Sequence, residues 1–508
     1  MHEETVGKEY GLRQGIHNQY AGASATYKNW YINGGIGYNF FGGWKDSAIG
    51  RELLWHKKDQ IVGNGMIGYH NSKLNIYYRF DGLDEIITNP ANITGSEPAL
   101  DQEYITDRLM QQLQASYSFN PKLSANAVAS YTRFTRQVYS TLFYPNGDVR
   151  VATAPGTHSL SAFNGLTLRG TVLYKMSPVV SFQPGVDINT ENGDGERIKT
   201  GVQQINDYAF FITSEITPAK RINIRPGLRF VRNSVYDAPP AIPSLNVKLG
   251  LTEKLDLRAA YARGFRSPSI RELYFDFRDG SHDILGNTEL QAEYSNSFTG
   301  SLTLTAIQKE SLRLSTSLSG FYNDVSNMIG YIQSASDNRV TTYGNIDKFK
   351  TRGATLNGNL VRDRLNVSLG FSYTGRYNQY KPGDASLASF KWSVETNALA
   401  GYSFSKIGMN VNLFYKFTGR QPYYRLTTAN SAEEVELMQT SGYHWADLTI
   451  NKKLFKLLTL NAGVHNLFDV TRVSSSATNG GVHASGAVSS IAYGRSWFMG
   501  LAFNWNKN

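Results

Sequence analysis

From one end of the chain to the other, apolar residues recur at every second position. That period belongs to a β-strand, because successive side chains leave a pleated backbone on opposite faces. In the segment from Leu365, one parity carries Leu365, Val367, Leu369, Phe371 and Tyr373, while Asn366, Ser368, Gly370 and Ser372 occupy the other. The last segment repeats the pattern with Trp497, Met499, Leu501, Phe503 and Trp505. Between Glu310 and Tyr322, Leu312, Leu314, Thr316 and Leu318 alternate with Arg313, Ser315, Ser317 and Ser319, so a charge sits on the inner parity. A dry core penalises such a charge. A wide barrel reverses the soluble convention, turning its apolar face to lipid and its polar face to a watery or protein-filled lumen.

The alternation persists over about 10 to 15 residues at a time, enough to cross a bilayer when tilted and too long for a propeller blade. Tight connections at Asn120-Pro121-Lys122, Ser177-Pro178, Pro218-Ala219-Lys220, Thr252-Glu253-Lys254, Arg362-Asp363 and Phe455-Lys456 alternate with long polar ones. The long set covers Gly82 to Tyr104, Thr141 to Ser159, Arg266 to Leu290, Gly419 to Ser441 and Ser474 to Ser490. This asymmetry predicts short periplasmic turns and long extracellular loops in an all-β, transmembrane, antiparallel up-and-down barrel. The segments number about 21, whereas single-chain bacterial barrels have even counts. Tracing back from a last strand that descends to Asn508 makes the first strand, near Glu9 to Thr26, a descending one too. One ascending strand is therefore expected before it. No linker or repeat divides the chain, so residues 1–508 are expected to form one barrel domain.

Composition supports strands over helices as the spanning elements. No run approaches the roughly 18 apolar residues of a transmembrane helix, and the mean hydropathy is -0.36. Aromatics nevertheless make up 13% of the residues. Met1 opens directly into the charged stretch MHEETVGKEY, which is no signal peptide. Zero cysteines exclude disulfides, thiolate metal sites and cysteine nucleophiles. The net charge of +10 is spread along the chain with no dense basic run, which speaks against nucleic acid and suits lipopolysaccharide or anionic ligands.

Several stretches resemble the TonB-dependent outer-membrane receptors, whose barrels enclose an amino-terminal plug. Gly264-Phe265-Arg266-Ser267-Pro268-Ser269-Ile270-Arg271-Glu272-Leu273-Tyr274 is similar to the family's G-F-R-x-P-S-x-x-E-L-Y box. Leu285-Gly286-Asn287-Thr288-Glu289-Leu290-Gln291-Ala292-Glu293 resembles its G-N-P-x-L-x-P-E element, with Thr288 and Ala292 in place of both prolines. Tyr322-Asn323-Asp324-Val325, Tyr343-Gly344-Asn345-Ile346 and Thr351-Arg352-Gly353 follow in the family's order. Asn466-Leu467-Phe468-Asp469 resembles the signature of the penultimate strand, and Gly494-Arg495-Ser496-Trp497 the start of the closing one. Against that pattern of about 22 strands, no TonB box, plug-sized domain or first strand is found before Glu9. A fragment, a split gene or a wrong start is the expectation.

The resemblance implies a monomeric receptor in the outer membrane of a Gram-negative bacterium, not an enzyme, that imports a scarce nutrient with energy transmitted by the TonB complex through the missing plug. A ferric siderophore or similar iron chelate leads; haem and a cobalamin-type corrinoid are alternatives, and a passive porin is the reading from another class. Outer-membrane lipid, lipopolysaccharide and a surface lipoprotein are the further partners, with no resident cofactor or metal. No H-E-x-x-H, G-x-S-x-G or G-x-x-x-x-G-K-[ST] motif suggests catalysis. For ligand contact, Tyr274, Phe275, Phe277, Arg278 and His282 place aromatic faces, a cation and an imidazole in one loop. The alternative is that these aromatics pack the loop on the rim. His282 stands between the two boxes, where haem receptors of the family place an axial ligand. Arg420, Tyr423, Tyr424 and Arg425 form a second aromatic and basic cluster, suited to carboxylates or catecholates or else to an interfacial girdle. His465 and Arg495 are expected to hydrogen-bond toward the plug.

Overall fold

A computed structural model of the chain describes residues 1–5, 15–45, 50–154, 156–199, 201–278, 283–333, 341–379, 389–429, 432–474 and 488–506. Two compact units divide it: Met1–Thr213 with Arg229–Pro240 and Ser269–Gly280, and Ser214–Leu228 with Ala241–Pro268 and Ser281–Asn508.

In the first unit the strands His2–Thr5, Ile16–Tyr27, Trp30–Phe41, Lys57–His70, Leu74–Asn89, Ala99–Asn120, Leu123–Phe143, Ser159–Lys175 and Val180–Gly195 follow one another, each antiparallel to the next. Gln203–Ala219 and Ile222–Asn233 each run through the boundary. The second unit continues with Ile242–Gly250, Leu255–Arg266, Glu293–Gln308, Leu312–Gln333, Thr341–Arg362 and Leu365–Gln379, joined antiparallel in that order. It then runs through Lys391–Phe404, Met409–Thr418, Tyr443–Lys453, Leu458–His465 and Ser496–Phe503 in the same way. Within each unit these joined strands pair antiparallel with their successors, so their backbone donors and acceptors are used within the wall itself.

These are 22 strands, against the expected 21 or so. The difference is His2–Thr5, placed where the sequence showed no strand. Four residues are too few to display an alternation. The pairing is nevertheless specific: His2 lies opposite His17 and Glu3 opposite Ile16, and the His2 and His17 rings sit 4.3 Å apart. The next strand starts at Ile16 rather than near Glu9. The predicted loop from Gly82 to Tyr104 is also shorter than expected, because the flanking strands continue to Asn89 and resume at Ala99. The six predicted tight connections fall between strands as expected.

The strands Ala99–Asn120, Leu312–Gln333 and Thr341–Arg362 have 22 residues each. At about 3.3 Å per residue each is roughly 70 Å long, far beyond the 9 to 11 residues needed to cross a bilayer. The wall therefore extends well past any membrane at the long-loop end. Along the last strand Trp497, Met499, Leu501 and Phe503 stand 54 to 68% exposed, and Leu369, Phe371 and Tyr373 are exposed in the same way on Leu365–Gln379. A soluble sheet would bury this parity.

Many of the glycines lie directly across from a ring. Phe80 is opposite Gly65, Tyr31 opposite Gly68, and Phe321 opposite Gly353. A Cβ added at Gly353 would sit 2.5 Å from the Tyr373 carbonyl oxygen and 2.9 Å from the Phe321 ring. Glycine lets the aromatic side chain lie flat on the neighbouring strand, which covers backbone otherwise left bare.

Leu369→Arg, on the exposed apolar parity, is expected to cost about 2–4 kcal/mol in a bilayer, and Ser368→Arg on the other parity less than about 1. Denaturant unfolding of chain refolded into lipid vesicles measures both; equal costs would contradict the assignment of faces.

Candidate functional site

The connection after Leu255–Arg266 carries a short helix and two short strands. Within the second unit, Arg266 forms a two-point ion pair with Glu293, Nη2 to Oε1 at 2.6 Å and Nε to Oε2 at 2.9 Å. Two parallel N–H donors matching two carboxylate oxygens fix both position and orientation. The other Glu293 contact is to the chain itself, Ile329 N donating to Oε1 at 2.7 Å. Phe265 packs on Tyr294 at 5.7 Å, and Pro268 is fully buried.

Within the first unit, Ser269 begins the helix Ile270–Tyr274. The sequence Ser269-Ile270-Arg271-Glu272 builds a capping box: Glu272 N donates to Ser269 Oγ at 3.3 Å and Ser269 N to Glu272 Oε2 at 2.8 Å. Ile270 and Leu273, three apart on one helical face, are fully buried. Gly193 leaves the space, since a Cβ there would come within 3.0 Å of Ile270. Tyr274 is half-buried and its carbonyl accepts Lys199 N at 2.8 Å. Phe275 is buried, bridges to Ile198 and meets the Phe163 ring edge-on at 5.6 Å. Phe275 thus packs the loop. Phe277 and Arg278 form a two-residue strand whose side chains, like His282, lie outside the described residues.

The surroundings of this helix are acidic. Glu191 lies half-buried within reach of the Glu272 and Asp207 charges, and Asn233 donates to Asp207 at 2.8 Å. Burial, together with Tyr274 and Glu272, holds the Tyr236 phenol above its ordinary range. Cations stand there too, with Lys199 3.3 Å from Asp276 and Arg271 on the helix itself.

The second box is a brace within the second unit. Asn287 Nδ2 donates to the Tyr343 carbonyl at 2.8 Å, Glu289 N returns to Asn287 Oδ1 at 2.9 Å, and Gly286 is buried. Gln291 N donates to Asn345 Oδ1 at 2.8 Å, so the two ordered motifs of the sequence meet side chain to backbone.

The connection from Gly419 to Ser441 is a β-hairpin, Gln421–Ala429 against Ala432–Thr440. Its register sets Tyr423 opposite Met438, Tyr424 opposite Leu437 and Arg425 opposite Glu436. The side chains of Tyr423, Tyr424 and Arg425 lie outside the described residues. Arg420 is exposed at its base. Gln421 anchors the hairpin, accepting from Arg376 at 2.6 Å and donating to Glu395 at 3.2 Å.

Asn466-Leu467-Phe468-Asp469 lies just past the strand Leu458–His465 instead of within it. Asn466 is almost wholly buried with φ 53°, and Asp469 has φ 56°. Asn and Asp are the residues that tolerate this left-handed backbone. Asn466 exchanges two side-chain hydrogen bonds with Val470, 2.9 and 3.0 Å, and its N donates to Asp447 at 2.8 Å. Asp469 Oδ1 accepts Arg495 N at 2.7 Å and Leu467 O accepts Arg495 Nε at 3.0 Å. His465 stacks on Phe498 at 4.6 Å and lies 3.6 Å from Asp447. Arg495 and His465 thus have partners in the wall itself. Phe468 is exposed at 53%.

One cluster escaped sequence reasoning. Asp187, buried, accepts Arg169 from the directly opposite position at 2.8 Å and Arg229 at 3.2 Å. Both guanidinium groups lie within 6 Å of the Phe211 ring. Its three charged members are separated in sequence by 18 and 42 residues, and only the register joins them.

Long hairpin-joined strands with an exposed apolar parity, and loops tied to their ends by polar braces, define a transmembrane β-barrel. The chain belongs to the family described as TonB dependent receptor-like, beta-barrel, whose model matches residues 55–467. Its fold is similar to that of the siderophore receptor PirA from Acinetobacter baumannii, with a TM-score of 0.71 at 13% identity over 96% of this chain and 78% of that one. In sequence it is 24% identical to the ferric enterobactin receptor of Pseudomonas aeruginosa over 58% of this chain. It is 25% identical to a probable hemoglobin and hemoglobin-haptoglobin-binding protein of Haemophilus influenzae over 42% of this chain. The matches span 42% and 23% of those two proteins' own lengths.

Asn466→Ala is expected to lower stability by roughly 2–4 kcal/mol, combining two lost hydrogen bonds with an unfavourable backbone. Asn466→Gly, which removes only the hydrogen bonds, should recover at least about 1 kcal/mol of it. Ser269→Ala should cost about 1 kcal/mol and show as faster hydrogen exchange confined to the helix. Unfolding curves and exchange of the three variants check these values.

Proposed function

We propose that the chain forms the membrane wall and outer vestibule of a receptor that takes up a ferric siderophore or a similar iron chelate, in the outer membrane of a Gram-negative bacterium. The observation carrying this reading is the match to the ferric enterobactin receptor, which extends over more of the chain than the match to the haemoglobin-binding relative. The loop chemistry supports it. A ferric chelate is a cation wrapped in oxygen ligands, flat or globular in outline. Tyr423, Tyr424 and Arg425, on the hairpin of that connection, stay in the proposal as ligand contacts on sequence grounds, as two rings and a cation. The exposed Arg420 adds a donor for a carboxylate or catecholate edge. His282, Phe277 and Arg278 stay in the proposal as ligand contacts on sequence grounds. Haem is the second reading, favoured by the haemoglobin-binding relative alone.

Uptake against a gradient needs energy from elsewhere, and in this reading it comes through TonB acting on a plug segment. Outer-membrane lipid and lipopolysaccharide would contact the exposed apolar parity. A monomer is expected, because a wall that satisfies its own backbone needs no partner strand.

Deleting the complete gene in its source bacterium and growing the mutant on single iron sources tests the assignment. Loss of growth on a ferric siderophore, with growth on haem and on corrinoid retained, is the expected result. Growth lost only on haem would replace the chelate reading with the second one, and unchanged growth with reduced uptake of small sugars would point to a porin. In the complemented strain, Arg420→Ala combined with Tyr424→Ala should weaken chelate binding about tenfold or more, one to two lost contacts of roughly 1 kcal/mol each.

A further inference from the structure

On the strand Thr341–Arg362 of the second unit, the exposed apolar parity changes character abruptly. Leu356 stands 50% exposed, opposite Leu318 on one side and Phe371 on the other. Ala354 follows on the same parity, and then three cations in succession, Arg352, Lys350 and Lys348. The register against Leu365–Gln379 runs unbroken from Lys348 to Arg362, so all of these side chains leave one face. From Leu360, beside the short turn, to Arg352 is about 26 Å of strand, and to Lys348 about 40 Å. At a tilt of roughly 40° these become heights of about 20 and 30 Å, which straddle the upper limit of an apolar band about 25 Å tall. A plug inside the wall leaves this outer face untouched.

Opposing charge is scarce there. Directly across from Arg352 lie Tyr322 and Gly375, and across from Lys348 lie Ser326 and Gln379. Asp324, across from Lys350 and 3.0 Å from its ammonium, is the one carboxylate opposite any of the three. Arg352 and Lys348 are exposed, and among the described residues neither has an ion pair. Arg352 is held by rings instead: its guanidinium lies 4.0 Å from the centre of Phe390 and 5.3 Å from that of Trp392. Trp392 in turn stacks on Tyr373, at 4.5 Å and 12°. Gly375, between Arg352 and Trp392 in the register, leaves the room, since a Cβ there would meet the Trp392 ring at 3.1 Å.

We propose that this face holds one phosphorylated glycolipid of the outer leaflet, with its phosphate groups on Arg352 and Lys348, its sugar against the stacked Tyr373 and Trp392, and its acyl chains down the leucine rows. A dissolved anion would use the cations alone, whereas the apolar residues directly below them reward an amphiphile. A ring pair beside a fixed guanidinium fork suits a sugar phosphate. Cations spaced about 7 Å apart along one strand match a ligand with more than one charged group. The inference rests on the lipid-facing reading of this parity and adds to it a fixed partner at a named place.

The full chain and its variants are refolded into phosphatidylcholine vesicles seeded with a bisphosphorylated rough lipopolysaccharide and re-extracted in mild detergent. Native mass spectrometry then counts the lipid retained. One glycolipid per chain is expected, with retention falling at least about tenfold after phosphatase treatment of the glycolipid and in Arg352→Gln combined with Lys348→Gln. Lys348→Gln alone removes an exposed side chain without a protein partner, so it should fold even where the double variant does not, and should still lower retention. Arg133→Gln, at an exposed cation opposite Leu109 on the apolar parity of the first unit, should retain lipid as the unaltered chain does. An excess of pyrophosphate should displace little, which separates a lipid-borne phosphate from a free one. Equal retention of treated and untreated glycolipid, equal retention in the variants, or full displacement by pyrophosphate would overturn the proposal. Insertion is read separately, as protection of the strands from added protease. Chain that inserts and retains no glycolipid defeats this inference alone, whereas chain that does not insert defeats the lipid-facing reading beneath it.

Discussion

Strand-to-strand hydrogen bonding governs everything else in this molecule. Inside a bilayer no water satisfies a backbone N–H or C=O, so each strand must find its whole complement in its neighbours. Within each unit the wall does this by pairing strand with successive strand in long registers, Ile16 to Gly195 in the first and Ile242 to Phe503 in the second. Once the backbone is committed, the side chains are free to divide by parity. One face becomes apolar and exposed, and the other takes the glycine, serine, asparagine and arginine that a soluble core would reject. Rings laid across glycines, as Phe321 over Gly353, close the surface where a side chain is missing.

The most recognisable sequence motifs turn out to be fastenings. Arg266 grips Glu293, Ser269 and Glu272 cap a five-residue helix, Asn287 and Asn345 brace opposing backbones, and Asn466 holds a left-handed turn. Asn466 is buried and the Arg266 pair bidentate, the conditions under which a polar contact is worth most. Their shared task is to bring long connections back to the wall in a defined place. The hairpin Gln421–Ala429 against Ala432–Thr440 lies between such fastenings.

Fold was legible because a period of two survives in any single sequence: Leu365 to Tyr373 announced its strand, and Arg362-Asp363 its turn, without neighbours to help. Short elements were not. His2–Thr5 is defined by pairing with Ile16 and His17, and pairing is a long-range fact. The same limit hid the pairing of Arg169 with Asp187, since a one-residue slip of register would abolish it. Phe275 shows the converse case. An aromatic residue in a polar loop reads as ligand contact, and only its burial against Phe163 and Ile198 gives it a packing role.

The central proposition is that one parity of these strands meets lipid and the other does not. Because the chain has no cysteine, single cysteines can be placed at successive positions from Val367 to Tyr373, spin-labelled and examined in vesicles. Labels at 367, 369, 371 and 373 should collide with oxygen dissolved in lipid, and labels at 368, 370 and 372 with a water-soluble nickel chelate, in strict alternation. Accessibility that varies smoothly along the segment, or that alternates in the opposite sense, would contradict the membrane wall described above.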